Sequence, residues 1–149
     1  MGSSDAFHPH LSGDQPARHR VHHIKAGDLD GGTSQTGGMQ RFAAISGMTV
    51  GSEKLWMGET HVSPGVASAN HHHGESETAI FVRSGHPEFV FHDGVGEVRI
   101  RTEPGDYIFV PPNLPHREEN PDASEPAVVM IARSTQEAIV VNLDRLYPL

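Results

Sequence analysis

The sequence predicts an all-β fold, a sandwich or a barrel of many short strands. Segments rich in β-branched and aromatic residues recur along the chain, and glycine or proline separates nearly every pair of them. No window of about ten residues carries a convincing helical stripe of apolar side chains. The predicted strands cover residues 39–45, 55–62, 78–83, 88–91, 97–101, 107–110, 127–132 and 138–143, with a further strand opening at His116 and a short edge strand at 21–25.

The chain length suits a single domain. Its 149 residues are enough to bury a sizeable core. Residues 1–20 are polar, contain glycine, serine and proline, and show no periodicity, so we expect a flexible N-terminal arm there. Residues 21–149 are expected to form one domain.

Composition excludes several classes of function. The formal charge of −8 argues against a nucleic-acid or anionic-membrane partner, since both favour clustered Lys and Arg. The chain has no cysteine, so a metal site must use histidine and carboxylate. No apolar run approaches the roughly 18 residues of a membrane span, and no charged-then-apolar leader opens the chain. We therefore expect a cytoplasmic protein whose partner is a small molecule.

Three consecutive histidines, His71 to His73, lie between a Pro-Gly turn and the predicted strand at 78–83. In an extended segment the side chains alternate between faces, so His71 and His73 point to one side and His72 to the other. Two imidazoles on one face can share a metal ion, and a third ligand usually comes from elsewhere in the chain. This stretch is the first half of a candidate metal site.

Two glycine-punctuated motifs follow one another along the chain. The first has a glycine, five residues, His-x-His and a later glycine, and it is matched by Gly65, His71, His73 and Gly85. The second has a glycine, five residues, Pro-x-Gly, two residues, a histidine, three residues and an asparagine, and it is matched by Gly105, Pro111, His116 and Asn120. With both motifs in order, the chain resembles the cupins, the double-stranded β-helix family related to germins. Asn113 replaces the second motif's middle glycine, a mild departure because Asn also tolerates a left-handed turn.

The resemblance implies a cupin jelly roll with His71, His73 and His116 as ligands of one divalent metal ion. Three neutral imidazoles on rigid strands hold such an ion and leave positions open for water or substrate. Neutral ligands leave the full charge of the ion available for Lewis-acid work, which favours zinc; iron, nickel or manganese are also possible.

The family's glutamate position is ambiguous in this sequence. Counting forward from His73 gives Glu77, which satisfies one version of the family spacing, whereas counting back from Gly85 gives Thr78. If Thr78 faces inward with the apolar residues of its strand, Glu77 faces outward. A local bulge would be needed to bring Glu77 to the metal.

Other residues are also candidates for the fourth ligand. Glu118 lies two residues beyond His116, hence on the same face of the strand. His61, His92 or a water molecule could also close the sphere. A carboxylate ligand favours iron, manganese and O₂ chemistry, whereas a sphere of neutral histidines favours polarisation of a carbonyl.

Within the cupins, the chain is most similar to bacterial cupin-type polyketide cyclases, by the stretches HHHGESET and PPNLPHREEN. This resemblance implies an aromatic polyketide cyclase, in which the metal polarises a ketone and an aldol-type ring closure follows. Glu118 or a hydroxide on the metal would be the base. A mononuclear iron dioxygenase is the alternative, and a non-enzymatic small-molecule-binding cupin is the second alternative.

Apolar side chains predict the interior and a possible interface. The interior, or a pocket wall, is expected to include Ile80, Val82, Phe89, Phe91, Tyr107, Phe109 and Met130. Phe81 falls on the outward parity of its strand, and we expect it to contribute to a homodimer.

Overall fold

The computed structural model describes residues 20–33 and 35–148. Within these residues, ten strands form two five-stranded antiparallel sheets, which confirms the all-β jelly-roll fold class. The expected arm lies almost entirely outside the described residues, so the division at residue 20 stays a prediction. The strands are β1 (Met39–Ile45), β2 (Trp56–Val62), β3 (His71–His72), β4 (Thr78–Ser84), β5 (Glu88–His92), β6 (Glu97–Arg101), β7 (Tyr107–Val110), β8 (His116–Glu119), β9 (Ala127–Arg133) and β10 (Val141–Asn142).

Strand order brings distant parts of the chain together. The first sheet has the order β1-β2-β9-β4-β7, and the second has the order β10-β3-β8-β5-β6. Strands β3 and β8, which carry the two halves of the histidine pattern, are therefore direct neighbours. The topology joins the two motifs at one place in the second sheet.

The core lies between the two sheets. Along β4, residues alternate between buried and more exposed positions, and Ile80 and Val82 are buried. They pack with Val110 and Val129 of the first sheet and with Phe89 of the second. A smaller cluster of Met39, Val62 and Ala127 closes one end of the first sheet. This alternation fixes the register, since a slip by one residue would expose Ile80 and Val82.

Two of the aromatic residues expected in the interior are exposed instead. Tyr107 is 79% exposed and Phe109 is 59% exposed, so their predicted place in the core is wrong. Strand β7 is an edge strand of the first sheet, and its alternation turns Val110 inward and these two rings outward. Edge strands with one solvated face follow this pattern.

Strands β2, β4, β5 and β9 each differ from the prediction by one residue at one end, and three elements differ by more. Residues 21–25 form no strand, and the expected strand at 138–143 shortens to β10. A four-residue helix, α1 (Gly47–Val50), was missed because it is too short to show a periodic stripe. It is stabilised by a capping box, in which Ser46 Oγ accepts from the Thr49 amide and Thr49 Oγ1 accepts from the Ser46 amide.

Two motif residues adopt the left-handed backbone that their turns require. Asn113 has a φ of 61°, the expected compensation for the missing glycine. Gly85 has a φ of 78°, and an added Cβ would lie 2.7 Å from both the Ala127 Cα and the Pro126 carbonyl oxygen. No side chain fits at residue 85 without a backbone shift.

We predict that Gly85→Ala destabilises the protein by about 2–5 kcal/mol, the sum of a left-handed Ala and an overpacked core. The matched control is Gly94→Ala, because Gly94 also has a positive φ but has open space around its Cβ position. Its cost should be about 1–2 kcal/mol. Urea denaturation measures both, and equal costs would show that the contact with residues 126 and 127 has no effect.

Candidate metal centre and cavity

The structure brings His71, His73 and His116 together on the inner face of the second sheet. His71 and His116 are cross-strand partners on β3 and β8, and His73 follows two residues after His71 on the same side. The ring centroids lie 4.5–5.0 Å apart. One ring nitrogen from each residue lies within 4.8 Å of those of the other two, a spacing that could hold a metal ion.

Backbone carbonyls fix the orientation of all three rings. In each histidine, Nδ1 lies within hydrogen-bonding distance of a carbonyl oxygen. A carbonyl can only accept, so Nδ1 must carry the proton and Nε2 must present a lone pair. The acceptors for His71, His73 and His116 are, in that order, the carbonyls of Ala69 (2.7 Å), Ile139 (2.9 Å) and Leu114 (3.0 Å). This is the usual outer shell of a metal-ligating histidine.

The protonation states also suit a metal site. Burial lowers the pKa of His73 to about 4 and the pKa of His116 to about 4, each against the weaker opposing effect of its backbone hydrogen bond. Both rings are therefore neutral near pH 7. His116 is 3% exposed, and its Nε2 is a buried atom without a hydrogen-bond partner among the described residues. Since such an atom is costly unless it is paired, the residues present fit a divalent ion.

We predict that the metal-free protein loses stability between pH 6.5 and pH 4. In the unfolded chain these two histidines take up protons near pH 6.5, whereas in the folded protein His73 and His116 resist protonation until about pH 4. Stability is therefore complete above pH 6.5 and falls as the pH is lowered through this window. We expect a loss on the order of 3 kcal/mol, allowing for the partial exposure of His73.

Urea denaturation of chelator-treated protein across this pH range measures the loss. The double variant H73Q/H116Q is the comparison, because glutamine does not titrate. Its stability curve should be flatter over the same pH window. An identical slope in both proteins would mean that other groups cause the pH dependence.

A cavity of about 390 Å³ opens beside the histidines. His71 and His73 line it, whereas His116 is buried and is not among its lining residues. Apolar atoms make up most of the lining surface, as is usual for small-molecule sites, although eleven of the seventeen lining residues have a polar or charged side chain. The apolar side chains include Met39, Ile131, Ala138, Ile139 and Val140. Its volume is at the lower end of the range for ligand pockets.

Glu77 is not brought to the three histidines. Strand β4 begins at Thr78, which is buried and lines the cavity, and its register shift lies between Val82 and Ser84. Without a bulge at the start of the strand, Glu77 stays on the outward parity. Its side chain is exposed, and its amide donates to Ser134 Oγ at 3.0 Å. The Glu77 side chain thus lies on the outward face, whereas the expectation that it completes the metal sphere requires it to face the histidines.

Glu118 lies at the cavity. It is partly buried, lines the cavity and is close enough to His73 for its charge to raise the pKa of that ring slightly against the effect of burial. Within residues 20–33 and 35–148, its carboxylate has no hydrogen bond or ion pair. The adjacent Glu119 faces the other way and pairs with Arg99 at 2.9 Å and Arg117 at 2.6 Å. Glu118 is therefore the free carboxylate of the site.

The remaining histidine candidates lie elsewhere. His61 Nε2 contacts Glu59 Oε2 at 2.9 Å, and His92 stacks on Tyr147 with ring centroids 4.6 Å apart. Neither residue lines the cavity. His72 points away from the cluster, and its Nδ1 accepts a hydrogen bond from the Gly74 amide. Among residues 20–33 and 35–148, no fourth histidine joins the three-histidine group.

Two cavity residues, Arg41 and Arg133, were missed in the sequence. Both line the cavity. The signal was available in the alternation of β9, where Ala127 and Val129 are buried and Arg133 shares their parity. Charged side chains seldom occupy strand positions that point to the interior, so Arg133 at such a position suggests a ligand-binding role.

These features define the class of protein: a jelly roll with a histidine-lined cavity between its sheets. A family model for the cupin domain matches residues 58–132, a segment that includes all three histidines and Glu118. The chain therefore belongs to the cupin family.

Several solved structures share this fold. An uncharacterised conserved protein with a double-stranded β-helix domain from Klebsiella pneumoniae has a TM-score of 0.63 at 18% identity, over 84% of this chain and 100% of that one. The polyketide cyclase RemF from Streptomyces resistomycificus has a TM-score of 0.63 at 22% identity, over 85% of each chain. A variant of the Bacillus subtilis oxalate decarboxylase OxdC has a TM-score of 0.62 at 20% identity, over 74% of this chain and 29% of that one. No curated protein sequence matches this chain. At these identities the structural likeness shows the fold alone.

Proposed function

We propose that this cupin is a metal-dependent enzyme that acts on a carbonyl-bearing, largely apolar small molecule. The observation that carries the proposal is the set of three imidazoles whose Nδ1 atoms each lie within hydrogen-bonding distance of a carbonyl oxygen, beside a largely apolar cavity. His71, His73 and His116 would hold one divalent ion. Zinc is the favoured ion, with iron, nickel and manganese as the other candidates.

A bound divalent ion would supply Lewis-acid polarisation of a substrate carbonyl. The chain's own contribution is to hold the substrate in a water-poor cavity and to move a proton. Glu118 has an unpaired carboxylate at the cavity wall and is the proposed general base. It would remove a proton from the methylene next to the carbonyl, and the resulting carbon nucleophile would form a bond to a second carbonyl carbon of the same molecule. As this bond closes the ring, the π bond of the attacked carbonyl would break and its oxygen would take the proton back from Glu118. Loss of water from the aldol product would then form a C=C bond of the aromatic ring.

The particular reaction we propose is the aldol-type ring closure of an aromatic polyketide cyclase. Its support is the fold shared with the polyketide cyclase RemF over 85% of both chains, together with the apolar cavity lining. We keep one alternative, a mononuclear iron dioxygenase, because Glu118 lies near His73 and could add a carboxylate to the three imidazoles.

Deuterium exchange tests the proposed proton removal without the natural substrate. Zinc-loaded protein in D₂O is mixed with 3-oxooctanoate, and exchange at C2 is followed by NMR against protein-free buffer. We expect acceleration that is abolished by chelation and restored by zinc. Oxygen uptake by iron-loaded protein, with no exchange by zinc-loaded protein, would favour the dioxygenase. If the protein shows neither activity, the enzyme proposal is overturned and a small-molecule-binding protein remains.

We also propose a homodimer and a cytoplasmic location. Phe81 and Tyr107 pack together on the outer face of the first sheet with ring centroids 4.9 Å apart, and Tyr107 and Phe109 are exposed there. Such an apolar patch is typical of an interface. Sedimentation should give a dimer, and a monomer at high concentration would contradict it.

In the described part of the chain, no helix is long and apolar enough to cross a membrane.

A further inference from the structure

Two arginines occupy inward positions on the first sheet. Arg41 lies on β1 between the buried residues Met39 and Ala43, which share its parity. Arg133 ends β9 on the parity of the buried Val129. Both side chains line the cavity, which they share with the histidines and Glu118 of the second sheet. The first-sheet side of the cavity therefore carries two cationic side chains, and the second-sheet side carries the proposed metal ligands.

Neither arginine has an acidic partner in the described portion of the chain. Arg41 Nη1 donates to Thr36 Oγ1 at 2.8 Å. Arg133 donates to the carbonyls of Thr135 at 3.1 Å and Gln136 at 2.8 Å, and its guanidinium carbon lies 4.1 Å from the centre of the Trp56 ring. By contrast, ion pairs to carboxylates are formed by Arg83, Arg99, Arg101 and Arg117.

Leaving these two guanidinium groups without a counter-ion is costly. A partly buried cation is normally paired with a carboxylate. Burial and, to a lesser degree, the charge of Arg41 lower the pKa of Arg133 to about 10, so Arg133 remains charged near pH 7. The positive charge also stands out because the whole chain carries a formal charge of −8. Each guanidinium has five N–H donors, and most of them are free here to bind an anion.

We propose that the substrate is an oxo-carboxylic acid, with its carboxylate bound by Arg41 and Arg133 and its carbonyl oxygen placed at the histidine cluster. This assignment rests on the proposed function for the carbonyl end and adds a recognition site for the other end. Arginine suits the task, since its planar fork donates two parallel hydrogen bonds to a carboxylate. The apolar lining accommodates the carbon chain.

The single tryptophan provides a direct probe of the arginine end. Trp56 is the only tryptophan in the chain, and Arg133 lies over its ring. An anion bound to Arg133 should change the fluorescence of Trp56 whether or not metal is present. Zinc-loaded and chelator-treated proteins are therefore both titrated with 3-oxooctanoate and with its neutral methyl ester, and calorimetry gives the affinities.

In the unmodified protein, we expect the acid to bind at least about tenfold more tightly than the ester, since a hydrogen bond to a charged group contributes about 1.5–3 kcal/mol. The acid, but not the ester, should also change Trp56 fluorescence in the chelated protein, with weaker affinity than when zinc is present. Equal affinities for acid and ester would overturn the proposal without any variant being needed.

Variants then assign the effect to the two arginines. R41M and R133M should each lose at least about tenfold in affinity for the acid, while affinity for the ester and for zinc changes less than about threefold. R133K should retain part of the selectivity, because it keeps the charge and loses the fork. The control is R101M, because the Arg101 side chain is 83% exposed and lies away from the cavity. Thermal melts check that each variant is folded.

The outcomes separate the two proposals. If zinc does not bind but acid selectivity and its dependence on the arginines persist, the metal-enzyme proposal fails and the anion site stands. If zinc binds but R41M and R133M bind the acid as tightly as R101M does, the anion site fails and the metal centre stands.

Discussion

His116→Ala should weaken zinc binding by at least about 100-fold, because loss of an outer-shell partner alone costs 10–100-fold and this variant removes a ligand. Among the three proposed ligands, His116 is the one whose Nε2 atom is buried without a hydrogen-bond partner in the described residues, and its burial limits the access of bulk water. The same change removes the contact between the rings of His116 and His71, whose centroids lie 4.5 Å apart. Competition with a chromophoric chelator measures the affinity.

The control is His92→Ala, because His92 stacks on Tyr147 and does not line the cavity. Its zinc affinity should stay within about threefold of the unmodified protein, well below the cost of losing even an outer-shell partner. An equal loss in the two variants would point to damage to the fold, which circular dichroism would detect. Unchanged zinc binding by a folded His116→Ala protein would contradict the three-histidine site.

Glu118→Gln should slow deuterium exchange at C2 of 3-oxooctanoate by about 10²–10⁴-fold, the usual contribution of a general base. Glutamine keeps the shape of the side chain and cannot accept the proton. Zinc affinity should change less than about tenfold, less than the loss of a ligand would cost. NMR measures the exchange, and chelator competition measures the affinity.

Two results would reassign Glu118. A fall in zinc affinity as large as that of His116→Ala would make Glu118 a ligand and strengthen the dioxygenase alternative. Unchanged exchange and unchanged affinity would remove it from the mechanism. The matched control is Glu77→Gln, which alters an exposed carboxylate on the outward parity and should leave both measurements unchanged.

Much of the fold follows from the local sequence, because short strands and their turns leave clear local signals. Strands β1, β6 and β7 have the bounds that the sequence predicts. The interior was less predictable, since period-2 alternation says which residues share a face but not which face is covered. At β7 this gave the wrong face for Tyr107 and Phe109, because the position of β7 at the sheet edge depends on the global strand order.

In the candidate site too, some residues follow from the local sequence and others only from the fold. His71, His73 and His116 were predictable, because spacing and glycine turns place them locally and the family motifs join the halves. The alternation of β4 already favoured Thr78 over Glu77 as the inward residue, and the structure has this arrangement. Arg41 and Arg133 are distant in sequence from the motifs, and only the pairing of β1 and β9 with β2 places them in one sheet.

The most direct test of the metal site is a crystal structure of the zinc-loaded protein with diffraction data collected on both sides of the zinc absorption edge. We predict one anomalous peak at the histidine cluster, about 2.0–2.1 Å from the Nε2 atoms of His71, His73 and His116. The Nδ1 atoms should keep their hydrogen bonds to the carbonyls of Ala69, Ile139 and Leu114. The absence of a peak at this cluster, or a peak coordinated by other residues, would contradict the proposed metal centre.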